Sequence, residues 1–256
     1  MKTTEKAESL TYSCMFAKKT PGDLGLELEV EGISDLPGKV SGWSVKTDGS
    51  LRNHGVEYVT EGAVENGTKT YEVIDRLVSE LKKPKYDTIM FNTRTSFHVH
   101  YNAQNLTPLQ VITAAMAGWL EEPMIINYAQ DHRNGNNFCL CAHQAEGVLK
   151  NFESSLSNNA HTFGGGDGAK YSGQNMSTLG RFGTIENRLM SGEIDTDRLY
   201  TWAQNIYHMY STSSTLYKNP VELFNDLESR GPMSVARELL TPEMFNACKA
   251  YIKDMQ

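Results

Sequence analysis

The sequence predicts an α+β fold with a largely antiparallel sheet and helices on one side of it. Segments with the period of a strand and segments with the period of a helix alternate unevenly along the chain. Neither the Gly-x-Gly-x-x-Gly turn of dinucleotide-binding βαβ units nor the Walker Gly-x4-Gly-Lys-Ser/Thr loop occurs. The C-terminal third has helical patterning only, which favours segregated helices and strands.

The first strand gives the strongest periodic signal. In the segment LGLELEVE, at 24–31, aliphatic residues alternate with the glutamates at 27, 29 and 31, which is typical of a strand. The turn Asp48-Gly49 is expected to join the next two strands in a hairpin. Strands are predicted over 24–31, 43–46, 56–60, 95–101 and 183–190, and helices over 68–82, 108–128, 196–218, 220–229 and 242–254.

Composition and charge limit the classes of function. The chain has 256 residues, and 24 Lys and Arg stand against 31 Asp and Glu, for a net charge of −7. This balance disfavours a protein that grips nucleic acid through its phosphates. The sequence shows neither a transmembrane stretch nor a secretory signal, so we expect a cytoplasmic protein with no nucleic-acid or membrane partner.

The chain is interpreted as a polar N-terminal segment, 1–20, followed by one domain, 21–256, whose part 195–256 is helical. The motif Cys139-x-Cys141-x-His143 is spaced too tightly for an ordinary structural zinc site. Buried cysteines are therefore the favoured interpretation.

Glu27, Glu29 and Glu31 share one face of the first strand. Alternate residues on a strand lie about 7 Å apart, and two carboxylates at that distance repel by roughly 2 kcal/mol. On a solvated face water screens this repulsion. On a concave face the acids need cations, and carboxylate oxygens select hard ions such as Mg²⁺ or Mn²⁺. The strand alone leaves both interpretations open.

Two further strands carry candidate ligands. Glu57 lies within GVEYVT, and His98-Val99-His100 places two imidazoles on one side of a strand. A carboxylate in such a segment is often a solvent-facing residue, and His-x-His is often packed or exposed. The alternative is metal binding, which deserves consideration because the strand with Glu27 and Glu29 already offers carboxylates.

The segment 181–188, RFGTIENR, completes the set. Strand alternation places Glu186 and Arg188 on one face, together with Thr184 and Met190. They form either a surface ion pair or a metal-binding glutamate beside an arginine whose fork holds a phosphate. The glycine-rich run 164–168 with Lys170 is interpreted as a lid over such a site or as a surface loop.

Taken together, five segments carry a resemblance to a known family. In order they are GLELEVEG, TDGSLRNHGVEYVT, SFHVHYN, KYSGQN and GTIENR, between about residues 25 and 193. This series resembles the amidoligase family, the compact branch of the carboxylate–amine ligases related to glutamine synthetase and glutamate–cysteine ligase. The resemblance implies a curved, mostly antiparallel sheet of glutamine synthetase-like type that holds ATP and Mg²⁺ or Mn²⁺, with helices on its outer face.

The resemblance also implies roles for individual residues, whereas it leaves the role of Glu31 open. Tyr171, Ser172 and Asn175 match its Tyr-x-x-x-Asn segment loosely. The implied metal ligands are Glu27, Glu29, Glu57, His98 and Glu186; the implied ATP ligands are His100, Arg188, Arg181, Lys170 and Asn175; and the implied catalytic residues are Arg188, Glu57 and Asp48, the last on the acceptor side.

The expected function is that of an ATP- and Mg²⁺-dependent carboxylate–amine ligase. Amide formation in water is uphill, and ATP can drive it by converting the carboxylate to an acyl phosphate. That transfer needs charge neutralisation and alignment, which acids with metals and an arginine supply. The partners would be ATP, a carboxylate and an amine. Two alternatives are a phosphotransferase of guanidino-kinase type on the same fold and a binding module without catalysis.

Overall fold

The structure is a computed structural model that describes residues 20–33, 38–144, 147, 150 and 171–253, and it confirms the α+β class. All strand pairs in the described sheet are antiparallel, and the strand order is β2-β3-β1-β4-β6-β5. The strands are β1 (Leu24–Val30), β2 (Trp43–Lys46), β3 (Val56–Thr60), β4 (Ser96–Asn102), β5 (Gln174–Asn175) and β6 (Thr184–Ser191).

Seven α-helices occur in the described ranges, and the five predicted ones lie close to their predicted bounds. They are α1 (Thr68–Leu81), α2 (Pro108–Ile125), α3 (Thr178–Phe182), α4 (Thr196–Leu216), α5 (Pro220–Arg230), α6 (Pro232–Leu239) and α7 (Pro242–Lys253). Three short elements were not predicted: β5, α3 and α6. Helix α6 has only eight residues and follows α5 directly across Gly231, with Pro232 in its first turn. None of the described helices combines the length and the apolar character needed to cross a bilayer.

Strand β1 lies inside the sheet, between β3 and β4, and its two faces differ as the alternation predicts. Leu24, Leu26, Leu28 and Val30 are fully buried. They belong to one hydrophobic core with apolar side chains of α1, α2 and α4, so these helices cover the apolar face. The hairpin of β2 and β3 is also confirmed by their antiparallel pairing.

The predicted alternation along β6 is wrong beyond residue 188. Two residues, Arg188 and Leu189, lie opposite the single residue His98 of β4, which is a β-bulge. An extra residue reverses the alternation behind it. Met190 therefore faces the apolar side of the sheet, whereas Thr184 remains on the acidic side. A period-two pattern carries no sign of such a bulge.

The cysteine interpretation agrees with the described part of the chain. Cys139 and Cys141 are buried free thiols, while His143 is exposed. The three residues lie in irregular backbone and a short 3-10 turn rather than on a strand. They therefore do not present a common face to a metal ion.

Candidate functional site

The strand register brings the predicted acids and histidines together on the face opposite the hydrophobic core. Glu29 lies opposite Glu57 of β3, and Glu27 lies opposite His98 of β4. The Nδ1 atom of His98 is 3.2 Å from Glu27 Oε2. On the other side of its ring, Nε2 is 2.7 Å from the hydroxyl of Ser96, which donates a hydrogen bond to Glu29. His98 is only 1% exposed, so the contacts form inside the protein.

Glu186 on β6 is the most heavily contacted carboxylate of the group. Arg188 Nη1 donates a hydrogen bond to Glu186 Oε1 at 2.6 Å, and Asn175 Nδ2 donates one to Oε2 at 2.6 Å. His98 Nδ1 lies 3.3 Å and His100 Nε2 lies 3.9 Å from Oε1. The pairing of β5 with β6 explains the position of Asn175, which is directly opposite Glu186.

His100 links Glu27 to the end of the site near α3. Its Nε2 is 3.3 Å from Glu27 Oε1, and its Nδ1 is 3.0 Å from the hydroxyl of Thr184. Gly25 lies opposite His100 on β1, where an added Cβ would be only 3.3 Å from the Cβ of His100. The glycine therefore leaves room for the imidazole between the strands.

Opposite charges control ionisation within this group. Burial alone would raise the pKa of the Glu27 carboxyl, but His100 and His98 lower that pKa well below its ordinary value. Burial likewise opposes ionisation of Glu186, yet Arg188 and the histidines bring its pKa below the usual range. Burial would lower the pKa of His100, but Glu27 raises it. The acids are thus held as carboxylates.

Glu57 behaves differently. Burial, followed by the negative charges of Glu27, Glu29 and Asp48, raises the pKa of Glu57 to about 8. Without a cation, this carboxyl therefore retains a proton at neutral pH. Burial and neighbouring negative charges keep this carboxyl protonated, and a bound metal ion would offset those charges and favour the carboxylate.

Three groups of side chains in the described residues could hold a metal ion. In each group one ligand atom per residue lies within 4.8 Å of the others. The groups are Glu27 with Glu57 and His98, Glu27 with His100 and Glu186, and Glu29 with Asp48 and Glu57. Two of the groups combine carboxylate oxygens with one imidazole nitrogen, and the third offers carboxylate oxygens only. Carboxylate oxygens are ligands of hard divalent ions. The predicted metal ligands are thus brought together, and Asp48 joins them.

Two cavities flank the acidic face. The first, about 380 Å³, is lined by Glu27 and His100 together with Lys46, Arg181 and Phe182. Arg181 lies over the ring of Phe182, with the guanidinium carbon 4.7 Å from the ring centroid. The cavity therefore combines metal-binding candidates, cations and an aromatic ring.

The second cavity has a volume of about 370 Å³. It is lined by Asp48, Arg52, Arg94, Phe138 and Tyr171. The Arg94 guanidinium lies 5.2 Å from the centroid of the Phe138 ring. Within the described residues no carboxylate lies within ion-pair distance of Arg94. Cationic side chains thus face this end of the acidic group.

Other sequence-predicted residues have different places. Lys170 and the run 164–168 lie outside the described residues. Glu31 does not join the metal-binding groups: its Oε1 accepts a hydrogen bond from the backbone of Arg52, and its Oε2 accepts from the amides of Asn53 and Asn92. Its role is to tie two loops to the end of β1.

Arg133 is a residue that the sequence reasoning missed. It is fully buried and donates hydrogen bonds from Nε to the carbonyl of Leu189, at 2.8 Å, and from Nη2 to the carbonyl of Arg188, at 2.6 Å. It lies in a 3-10 turn within an Asn- and Gly-rich stretch that has no periodic pattern. The importance of Arg133 becomes evident only from its contacts with the β-bulge, and the sequence pattern does not predict that bulge.

Comparison with known proteins adds no family: no protein-family model matches the chain, and a search of the curated proteins finds no match.

Proposed function

We propose that this protein is an ATP- and divalent-metal-dependent carboxylate–amine ligase whose sheet is of glutamine synthetase-like type. The observation that carries the proposal is the overlapping set of three potential metal-binding groups on one sheet face. Glu27 belongs to two of the groups and Glu57 to two, so neighbouring ions would share ligands. Metal ions there would neutralise phosphate charge during phosphoryl transfer.

The chain's own donors support phosphate binding. Arg188 Nε is buried and has no hydrogen-bond partner among the described residues. His100 Nε2 already faces Glu27 Oε1 at 3.3 Å and Glu186 Oε1 at 3.9 Å. Buried donors without a protein partner are rare in folded proteins, and each one calls for a partner such as a water molecule, an ion or a ligand. Both atoms belong to side chains beside Glu186, and an arginine fork matches two phosphate oxygens. A phosphate bound beside Glu186 would satisfy the Arg188 donor, and the His100 imidazole would lie next to it.

The two cavities support a two-substrate reaction. The cavity with Arg181 and Phe182 would hold the nucleotide, since it offers cations for phosphate and a ring for a base. The cavity with Arg94 would hold the carboxylate substrate, because its guanidinium is the matching charge. The carboxylate oxygen would attack the terminal phosphorus of ATP, releasing ADP and forming an acyl phosphate. The amine would then attack the acyl carbon, releasing phosphate and a proton and leaving the amide.

The direct test measures ADP release by the full chain with Mg²⁺, ATP and pooled carboxylates and amines, followed by mass spectrometry of the products. We expect ADP release that requires both substrate classes and a product lighter by one water than their sum. ADP release with transfer of phosphate to a guanidino acceptor would instead establish the alternative phosphotransferase. The absence of any thermal shift with Mg²⁺ and ATP would overturn both reactions and favour a binding module.

Glu27→Gln provides the matched loss-of-function variant. Because Glu27 belongs to two potential metal groups, its neutral amide should reduce turnover by at least about 100-fold, which corresponds to about 2.7 kcal/mol. The fold should survive, because glutamine keeps the size and shape of glutamate and its amide can still contact the imidazoles of His98 and His100. Glu61→Gln, an exposed glutamate just after β3, is the control and should turn over normally. Normal turnover by Glu27→Gln would contradict the metal assignment.

A further inference from the structure

We propose that Arg133 is a positioning residue that fixes the β-bulge of β6 and thereby orients Arg188 in the site. Its guanidinium contacts the backbone of both bulge residues, donating to the carbonyls of Arg188 and Leu189 at 2.6 and 2.8 Å. Arg133 touches no atom of the acidic face through these bonds. It therefore acts on the site only through the strand that carries Arg188.

The bulge leaves backbone groups that the sheet ladder does not satisfy. The N–H of Arg188 donates to the carbonyl of Gly173 at 2.7 Å, and the N–H of Leu189 donates to the side chain of Asn187 at 3.2 Å. The carbonyls of the same two residues accept from the Arg133 guanidinium, and buried carbonyls in folded proteins almost always accept a hydrogen bond. Arg133 thus supplies donors to both carbonyls from one side chain.

An arginine suits this place for a geometric reason. Its planar fork presents two donors at a fixed spacing, which matches two successive carbonyls, whereas a lysine ammonium is a single point charge on a flexible stem. The segment that carries Arg133 is itself held against the sheet. Asn136 Nδ2 donates to the carbonyl of Thr93 at 2.7 Å, just before β4. The guanidinium is thus delivered by an anchored turn.

The bulge decides which face residue 188 occupies. If β6 lost the extra residue by slipping into regular pairing, the residues on one side of it would turn to the other face of the sheet. Either Arg188 would leave Glu186, or Met190 would leave the core, where it is fully buried. By fixing the bulge, Arg133 keeps both residues on their proper faces. This inference rests on the proposed function in one respect: Arg188 is taken to be the arginine that binds phosphate.

A double-mutant cycle tests the coupling. Arg133→Lys should lower kcat at least 10-fold with little change in the KM for ATP, and in an Arg188→Lys background it should lower kcat less than 2-fold further. Arg198→Lys is the control, because Arg198 also donates to a backbone carbonyl, that of Tyr128, outside the site; its kcat should equal that of wild type. Equal factors in both backgrounds would overturn the proposal.

A second measurement does not depend on turnover. Nitrogen-15 NMR of arginine side chains should show a slowly exchanging Arg188 guanidinium in the wild type, assigned by its loss in Arg188→Lys. In Arg133→Lys, or in Arg133→Gln if the lysine variant does not fold, that signal should shift and exchange faster while the Arg198 signal stays. An unchanged Arg188 signal would reject the positioning role. A changed signal in a protein without ATP turnover would reject the proposed function alone.

Discussion

Arg188 is held by a single carboxylate and carries a buried Nε that has no hydrogen-bond partner among the described residues. The Arg188–Glu186 pair lies largely buried rather than on the surface, so the exchange of Arg188 for lysine separates a purely structural ion pair from a phosphate ligand. Lysine keeps the positive charge that a structural pair with Glu186 needs, so a structural pair predicts little change in kcat. A guanidinium that forks onto the transferred phosphoryl group cannot be replaced by a point charge, so Arg188→Lys should lower kcat by about 100-fold, or about 2.7 kcal/mol.

Steady-state ADP release, with thermal stability as the control for folding, measures this effect. The affinity for ATP should change less than kcat, because the metal-binding residues are untouched. An unchanged kcat would remove Arg188 from the site.

Glu57 makes metal binding depend on pH. A metal ion binds the ionised carboxylate, so below the pKa of about 8 the ion must displace a proton. Affinity for Mn²⁺ should therefore rise between pH 6.5 and 8.5 and then level off. In Glu57→Gln the affinity should be lower above the pKa of Glu57, should approach the wild-type value at the acidic end, and should lack this part of the pH dependence. Calorimetric titration with Mn²⁺ at four pH values checks both expectations, and Glu61→Gln should match the wild type. Affinity that is independent of pH would exclude Glu57 as a ligand.

At the scale of single elements, the sequence predicts what repeats with a period and misses what depends on contacts between distant segments. The alternation in β1 places the acids and the aliphatic residues on their correct faces, and the helices covering this sheet follow from their 3.6-residue patterns. The two-residue strand β5 has no periodic signal, because its pairing with β6 comes from tertiary contacts. The bulge in β6 is invisible for the same reason.

The site follows the same division. Residues on long strands, such as Glu27, His98 and Glu186, were candidates because of their positions on strand faces, and the family resemblance implied that they act together as metal ligands. Asp48 was assigned to the acceptor side, and only the folded hairpin loop shows its proximity to Glu29 and Glu57. Arg133 was missed because its partners are backbone carbonyls, which no side-chain motif encodes.

The junction of α2, β5 and α4 offers a test at the element scale. A Cβ added at Gly118 in α2 would lie 1.9 Å from Gln174 Oε1 and 2.9 Å from the Tyr210 ring, and these two side chains are themselves hydrogen-bonded. Gly118→Ala should therefore lower the free energy of unfolding by about 1–3 kcal/mol, although alanine is the better helix former.

The control for this variant is Gly180→Ala in α3, where an added Cβ meets nothing within 4 Å. Urea unfolding should show little change or a small gain for Gly180→Ala. If Gly118→Ala were equally harmless, the packing of α2 against Gln174 would be looser than the structure shows.

For the whole molecule, two buried acids outside the site contribute to the pH dependence of stability. Burial raises the pKa of Glu121 and of Glu122, on α2, to about 8 each. Because these values lie above those of the unfolded chain, the native state binds more protons between about pH 4.5 and 8. Stability should therefore be greatest near the acidic end of this window and fall as the pH rises, by at most about 1.4 kcal/mol per pH unit for each group.

Replacement of both acids tests this origin. The free energy of unfolding of Glu121→Gln/Glu122→Gln should fall less steeply between pH 5 and 8 than that of the wild type, as measured by urea unfolding at each pH. Glu228→Gln, an exposed glutamate of α5, serves as the control and should follow the wild-type curve. A double variant with the wild-type slope would assign the dependence to other groups, Glu57 first among them.

The strict alternation of β1 has a consequence for how this chain can change by mutation. Its even-numbered positions from 24 to 30 lie in the core, while Glu27 and Glu29 lie on the other face. Loss or gain of one residue within the strand would exchange the faces and bury the carboxylates among aliphatic side chains, at several kcal/mol each. Substitutions can therefore accumulate independently on the two parities, whereas a frame change of one residue is barred. Substitutions at the even positions can therefore change stability without touching the acidic face, and substitutions at positions 27 and 29 can change the acidic face without touching the core.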